Sequence, residues 1–432
     1  MPELSIRPRR YPAAQRRQLL LCQNRPVNHN RRVLITGMGA VTSIGASLPE
    51  FWKNLLAGTC GIGPFSLFDS SAYRTQTAAQ VPEIPDGFLT PLERRRMSRA
   101  DRMGVAAARE AIDASGLDLS RENPARMGVI LGGGTSGLID SEAFYELHLR
   151  GRKARPSKVL NHLPDSITDR VAQRFGLLGI KSTITTACSS AANAMGYAYD
   201  VIAAGLADVV LTGGSDVLAR LTYGGFNSLR SVDPEPCRPF DRERKGLSIG
   251  EAAGILVFED EAHARRRGAP IVAEFRGYGV TSDAYHMTAP DPSGVAGGRT
   301  VLAALANAGL NAEDVDYVNA HGTATPQNDS AETAALKAAL GDRARRIPIS
   351  SIKSMIGHCL CASGAIEAVA TALTVRDGKV PPTIHYENPD PACDLDYVPN
   401  AARDATVDVA LSNSFAFGGN SSVVVLARYG GG

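Results

Sequence analysis

Short apolar runs alternate along the chain with longer stretches in which apolar and polar residues are mixed. Val33–Ile35, Met127–Leu131, Ser182–Thr186, Asp208–Thr212 and Ala252–Phe258 are short and rich in aliphatic residues, which predicts strands. Glu50–Ala57, Asp101–Ser115 and a small-residue run from about Ser189 to Ala204 predict helices. Gly37-Met38-Gly39 predicts a turn that closes the first strand, and Gly132–Gly137 predicts a loop. The basic stretch Arg265–Pro270 reads as a linker, after which the pattern restarts. Ile271–Gly277, Asp316–Asn319, Ile347–Ser350, Val409–Leu411 and Ser422–Ala427 predict strands, with helices over Thr300–Ala308 and Ala362–Thr374. Strands and helices in alternation indicate an α/β architecture with buried sheets.

The two stretches on either side of the linker echo each other. Residues 185–195 and 354–364 each pass from a strand into a small-residue helix. Residues 207–216 and 315–323 are each a strand ending in Gly and hydroxyl residues. A duplicated α/β unit accounts for this, and it would bring both strand-to-helix junctions to one central cleft. The expected division is a tail over 1–31, one half over 32–267 and a second over 268–432.

Charge changes the picture only at the start. The net charge is +2, yet residues 1–32 hold eight Arg and one Glu, so the remainder is mildly acidic. An acidic body offers no nucleic-acid groove. The tail reads as a basic arm or a transit-like presequence, with a disordered extension as the plain alternative. No apolar run has the length of a membrane span. Seven cysteines, odd in number and irregularly spaced, predict reduced thiols in a cytoplasmic enzyme. Cys359 and Cys361 have no second pair at finger spacing, so zinc is not expected.

Cys188 stands where a strand gives way to a helix. A helix N-terminus favours the thiolate, so the position predicts a lowered thiol pKa and a nucleophile, against the plain alternative of a buried structural cysteine. His321 follows an apolar strand, and His358 comes five residues after Lys353. Junctions of this kind are where α/β enzymes place reactive groups. Glu367 falls in the following helix, within reach of Lys353.

Four stretches occur in order: Thr-Ala-Cys-Ser-Ser-Ala at 186–191, His-Gly-Thr-Ala-Thr-Pro-Gln-Asn-Asp at 321–329, Lys-Ser-Met-Ile-Gly-His at 353–358 and Asn-Ser-Phe-Ala-Phe-Gly-Gly-Asn at 413–420. Together they resemble the β-ketoacyl-acyl-carrier-protein synthases, and among these the elongating type of fatty-acid and polyketide synthesis. The resemblance runs from Arg32 to about Arg428. It implies a thiolase-like αβαβα fold of two pseudo-symmetric halves, and a homodimer or a heterodimer with a chain-length partner. It further implies decarboxylative condensation of an acyl group with a malonyl thioester, both delivered on the phosphopantetheine of an acyl-carrier protein. By the same resemblance Cys188 is the acylated nucleophile, and His321 and His358 bind the malonyl thioester. Lys353 orders the site with Glu367 as its partner. The backbone N–H groups of Cys188 and Phe417 form an oxyanion hole, and Phe417 is the gating aromatic. This chemistry requires no metal or redox cofactor.

The chain departs from the family pattern at Ala416 and Asn420, where Gly and Thr are usual, and at Cys359 and Cys361, where Leu and Gly are usual. These changes bear on gating and acyl-chain preference. A thiolase acting on CoA esters would carry a second Cys near the C-terminus, where Asn413–Gly419 stands instead. A non-catalytic chain-length partner would lack Cys188. Gly132–Gly137 fits a dinucleotide fingerprint without the acidic residue that should follow it. Gly246–Gly250 fits a hydrolase elbow without a strand before it. Arg74, Arg94–Arg96 and Arg99 are candidates for meeting an acidic carrier protein.

Overall fold

The computed structural model describes residues 31–430, so the basic tail expected over the first residues falls almost wholly outside the described part. Ten strands form one mixed sheet: β1 Val33–Val41, β2 Met127–Gly132, β3 Lys181–Ile184, β4 Val209–Asp216, β5 Ala252–Asp260, β6 Ala273–Ser282, β7 Tyr317–Asn319, β8 Ile349–Ser350, β9 Val409–Ala416 and β10 Asn420–Ala427. Their order is β8-β7-β9-β10-β6-β1-β5-β4-β2-β3. Each of β1–β5 has its counterpart five strands later. In both halves two parallel pairings follow from the outer edge, then two antiparallel ones. The halves meet where β1 and β6 pair antiparallel over three residues. This repeat of order and direction is the topology of a duplicated unit, as the internal echo predicts.

Helices Ser190–Ala203 and Ser363–Asp377 lie between the two halves of the sheet and touch both. Burial of 11 of 14 residues in the first and 13 of 15 in the second marks them as a central layer. Helices Arg99–Ser115 and Ser166–Phe175 cover the outer face of the first half. Val295–Ala308 and Pro326–Leu340 cover the second. The result is five layers, α-β-α-β-α, around a core that runs through the middle. The three inner layers are apolar because both their faces are covered; Ile366→Ala in the central helix would cost about 2–5 kcal/mol.

Several elements differ from their sequence expectation. Gly37 and Gly39 make no turn but lie within β1, which continues to Val41 past a bulge. A Cβ on either would come within 2.2 Å or 2.0 Å of the Ala111 or Ala107 carbonyl oxygen of helix Arg99–Ser115, so glycine serves close packing. The basic stretch 265–267 is helical, as part of Glu261–Arg267, and Arg267 grips Glu259 of β5. Helix Pro326–Leu340, capped by the Thr325 side chain with Pro326 in its first turn, carries no strong apolar period and escapes a reading by pattern. No helix of the described residues is long and apolar enough to cross a membrane.

Candidate active site

Cys188 sits on a tight elbow between β3 and helix Ser190–Ala203. Ala187 before it holds φ +51°, a left-handed conformation that costs energy for a residue with a side chain. The elbow is locked by side chains: the Thr186 N–H donates to Ser190 Oγ at 2.9 Å, which donates to the Ala187 carbonyl at 2.6 Å. Asn193 Nδ2 donates to Thr186 Oγ1 at 2.8 Å. The thiol is 8% exposed and lines a cleft together with His321, His358 and Phe417. Its resting state corrects the sequence expectation. Burial pushes the thiol up to about 11, outweighing the Lys353 charge and the N–H groups of Phe417 and Cys188 that pull it down. The group waits as a thiol.

His321 follows β7 and is held from behind by Glu332, which the sequence reading did not single out. The Glu332 carboxylate accepts the N–H of His321 and of Gly322, each at 2.8 Å, and Asn413 Nδ2 at 3.0 Å. Its signal was the Thr325-Pro326 helix start, which places a buried acid two turns on. Lys353 Nζ lies 3.3 Å from His321 Nδ1 and forms an ion pair with Glu367, both side chains being buried. Burial lifts the Glu367 carboxyl to about 7 against the pull of Lys353.

His358 is fixed through its backbone and its ring. Its N–H donates to the Ser248 carbonyl at 2.7 Å, and its own carbonyl accepts the Gly250 N–H at 2.9 Å. The Leu360 N–H donates to His358 Nδ1 at 3.0 Å, where Ser363 Oγ also reaches it at 3.0 Å. An amide N–H only donates, so Nδ1 is an acceptor and the neutral ring carries its proton on Nε2. A charged Lys353 imposes the same tautomer on His321. The two rings stand 5.4 Å apart at 88°. Burial first, then the Lys353 charge, holds both imidazoles well below the usual histidine range, so both are neutral.

Phe417 begins a short turn, Phe417–Gly419, between β9 and β10, and its ring meets that of Phe226 at 5.7 Å. The Gly418 N–H donates to the Met287 carbonyl at 2.8 Å. Gly419, at φ +73°, has no room for a side chain: a Cβ there would come 1.9 Å from Asp283 Oδ1. Ala416 occupies ordinary extended backbone at φ −114° and ψ 157°, which any residue adopts.

Most of the remaining candidates are structural in this fold. Ser248 is buried and accepts the Cys237 N–H at 3.0 Å, so residues 246–250 support His358 instead of presenting a nucleophile. In the loop Gly132–Gly137 the Thr135 N–H is taken by Asp216 and the Gly133 N–H by the Ile184 carbonyl. Arg99 is gripped by Glu251 and the Val81 carbonyl, so it is not a free surface cation, whereas Arg74 is exposed and donates to the Val232 carbonyl. Arg94–Arg96 are exposed. Cys359 and Cys361 are buried, with no grouping of three or more His, Cys, Asp or Glu side chains suited to a metal among the described residues.

One wall of the cleft thus offers a nucleophile under two backbone N–H groups. The other offers two neutral Nε2–H donors backed by a buried cation, a set suited to an anionic oxygen. Comparison with known proteins reaches the same place. Residues 30–264 match the N-terminal domain of β-ketoacyl synthases and residues 272–387 match their C-terminal domain. A 3-oxoacyl-[acyl-carrier-protein] synthase 2 of Staphylococcus aureus is 40% identical over 412 residues, covering 93% of this chain and all of the relative. The solved ishigamide ketosynthase/chain length factor superposes with a TM-score of 0.88 at 36% identity, over 93% of this chain and all of that one. A ketosynthase solved with its type II polyketide synthase acyl-carrier protein gives 0.86 at 33% identity, over 92% and 100%. The chain belongs to the β-ketoacyl synthase family.

Proposed function

We propose that this chain is a 3-oxoacyl-acyl-carrier-protein synthase that elongates carrier-bound acyl chains by decarboxylative Claisen condensation. The observation that carries the reading is the pair of neutral imidazoles, each with its proton directed to Nε2, facing Cys188 across one cleft. In the first half-reaction the Cys188 sulfur takes the acyl group from its carrier, and the thiol proton leaves with the carrier's sulfur. The N–H groups of Cys188 and Phe417 receive the negative oxygen of the tetrahedral intermediate. In the second, a malonyl thioester loses CO2, and the enolate oxygen that remains accepts from His321 and His358. The enolate carbon attacks the acyl carbonyl, the Cys188–acyl bond breaks, and sulfur recovers a proton. Lys353, paired with Glu367, holds His321 and adds positive charge where the anion forms. The sequence departures leave this chemistry intact. It calls on no metal or redox cofactor.

The partner in this reading is an acyl-carrier protein, and the setting is the cytoplasm. The outer strand β3 leaves one edge of the sheet unpaired, which suits pairing with a second subunit. A second reading keeps the chemistry but makes that subunit a chain-length partner, as the likeness to the ishigamide ketosynthase/chain length factor favours. The test is incubation of the purified chain with acyl- and malonyl-carrier protein, followed by mass spectrometry of enzyme and product. An acyl adduct on Cys188 and a 3-oxoacyl carrier two carbons longer are expected. Acylation without extension until a partner subunit is added selects the second reading; absence of any adduct rejects both.

A further inference from the structure

Asp216 ends β4 with a fully buried carboxylate that has no ion-pair partner among the described residues. Backbone and hydroxyl groups from three segments satisfy it instead. Oδ1 accepts the Thr135 N–H at 2.9 Å, the Thr135 hydroxyl and the Val217 N–H at 3.0 Å. Oδ2 accepts the N–H of Cys361 at 3.0 Å, across the boundary between the halves. Burying an acid without a cation is costly, and burial raises its pKa despite these donors. Such an arrangement invites a reason.

The reason lies in what Cys361 belongs to. The turn Leu360–Ala362 and the residue that follows it supply the two groups that define His358: the Leu360 N–H and Ser363 Oγ, both on Nδ1. Leu360 holds φ +52°, which a leucine keeps only where its surroundings impose it. The next N–H in the chain is the one Asp216 takes. On its other side Asp216 holds the loop after β2. A Cβ on Gly134 of that loop would lie 2.3 Å from Cys361 Sγ and 3.0 Å from Asp216 Oδ2. A Cβ on Gly132, where the loop begins, would lie 2.4 Å from the Ala191 nitrogen of the helix behind Cys188. One carboxylate therefore references the turn that orients His358 to the helix that carries Cys188.

We infer that Asp216 is a positioning residue for the decarboxylation step. By anchoring the Cys361 N–H it keeps the Leu360 amide and Ser363 on His358 Nδ1, and so keeps the Nε2 proton aimed into the cleft. The inference rests on the role proposed above for His358. It separates the half-reactions, because the elbow at Cys188 is locked by its own hydroxyls and does not depend on Oδ2.

The test compares Asp216→Asn, Asp216→Glu and Thr135→Val in two assays, acylation of Cys188 by acyl-carrier protein and CO2 release from malonyl-carrier protein. Thermal melting reports folding. Asp216→Asn turns one acceptor into a donor; CO2 release is expected to fall about 10- to 100-fold, the scale of a small misplacement. Acylation should stay within about threefold of wild type under the same argument. Freed of its amide, Nδ1 binds a proton more readily, so the acid limb of the pH–rate profile for CO2 release should move upward. Asp216→Glu, which keeps both acceptor oxygens, should recover part of the loss. Thr135→Val removes the hydroxyl from Oδ1 and from the Val217 backbone but leaves the Oδ2 bond to Cys361 in place, and should leave CO2 release near wild type. Equal loss in both assays, or CO2 release unchanged in a folded Asp216→Asn, overturns the inference. If Asp216→Asn does not fold, the Glu variant decides by the same comparison of the two assays. A wild-type chain that releases no CO2 would instead defeat the functional reading itself.

Discussion

Lys353 Nζ stands 3.3 Å from His321 Nδ1 while forming an ion pair with Glu367, so one buried cation serves both a neutral ring and an acid. Each side chain of the pair is 1% exposed. Removing one member of a buried pair strands the other, at a cost of about 3–5 kcal/mol. Lys353→Met should therefore lose about that much in urea denaturation and lose CO2 release as well. The double variant Lys353→Met/Glu367→Leu should recover most of the stability and none of the CO2 release. Recovery of both together would mean that the cation serves the fold alone.

In the proposed reaction, capture of the acyl group and stabilisation of the enolate rest on different residues of the cleft. Cys188→Ala should take up no acyl group and extend none, yet should still release CO2 from malonyl-carrier protein. Ala at His321 or at His358 should cut that release roughly a hundredfold or more, the scale for losing one oxyanion donor. Radiolabelled CO2 release beside mass spectrometry of the acyl-enzyme measures both. Full condensation in the double histidine variant would remove the rings from the mechanism.

Much of this site is legible as residue types at strand ends: Cys188, His321 and His358 line one cleft, with Lys353 buried behind His321, and the internal echo predicts that Cys188 and His358 meet. What the chain could not show is burial. A helix start predicts a lowered thiol pKa for Cys188, but the thiol lies inside, and desolvation outweighs the favourable groups. The pattern ends strand β9 at Leu411 because Ser412, Asn413 and Ser414 are polar; they are buried beneath the site, where Asn413 meets Glu332. Helix Pro326–Leu340 was lost for the same reason. Asp329, Glu332 and Thr333 face inward from it, which blurs the apolar period that marks an ordinary covering helix. Gly37 and Gly39 read as a turn because their real constraint, the carbonyls of Ala107 and Ala111, comes from residues about seventy positions away.

Away from the site, His263 lies between Glu259 Oε1 at 2.6 Å and Glu122 Oε2 at 2.9 Å. Arg267 and Thr36 also meet Glu259, while Asp260 and Asp208, with Arg126 and Arg31, lie close by. The Glu259 hydrogen bond, opposed by burial and aided by Glu122, raises the His263 pKa above 6.5. A raised histidine contributes stability that is fully present below its unfolded pKa and is lost as pH rises through its folded pKa. The melting-temperature gap between wild type and His263→Gln should therefore be widest near pH 6 and should shrink on the alkaline side. A gap that is constant, or that widens with pH, would show that the ring is neutral in the folded protein.

Docking of a carrier protein should depend on charge rather than on packing. Arg95 and Arg96 are exposed beside helix Arg99–Ser115, and Arg152, Lys153 and Arg155 form a second exposed basic run. Arg170 links the backbone of Arg96 to Asn161, in the turn that follows the second run. An acidic carrier steered by such a surface loses its advantage as salt screens it, with a Debye length of about 8 Å at physiological ionic strength. Arg95→Glu/Arg96→Glu should thus raise KM for carrier-bound substrates about tenfold or more while leaving kcat nearly unchanged, as repulsion replaces attraction at encounter. The wild-type kcat/KM should fall as salt increases, and the variant's should fall less. A short pantetheine thioester, which carries no protein, should be turned over equally by both. If the variant loses activity on that small substrate as well, the arginines act on the site and not on docking. If it keeps full activity on the carrier-bound one, the carrier docks elsewhere.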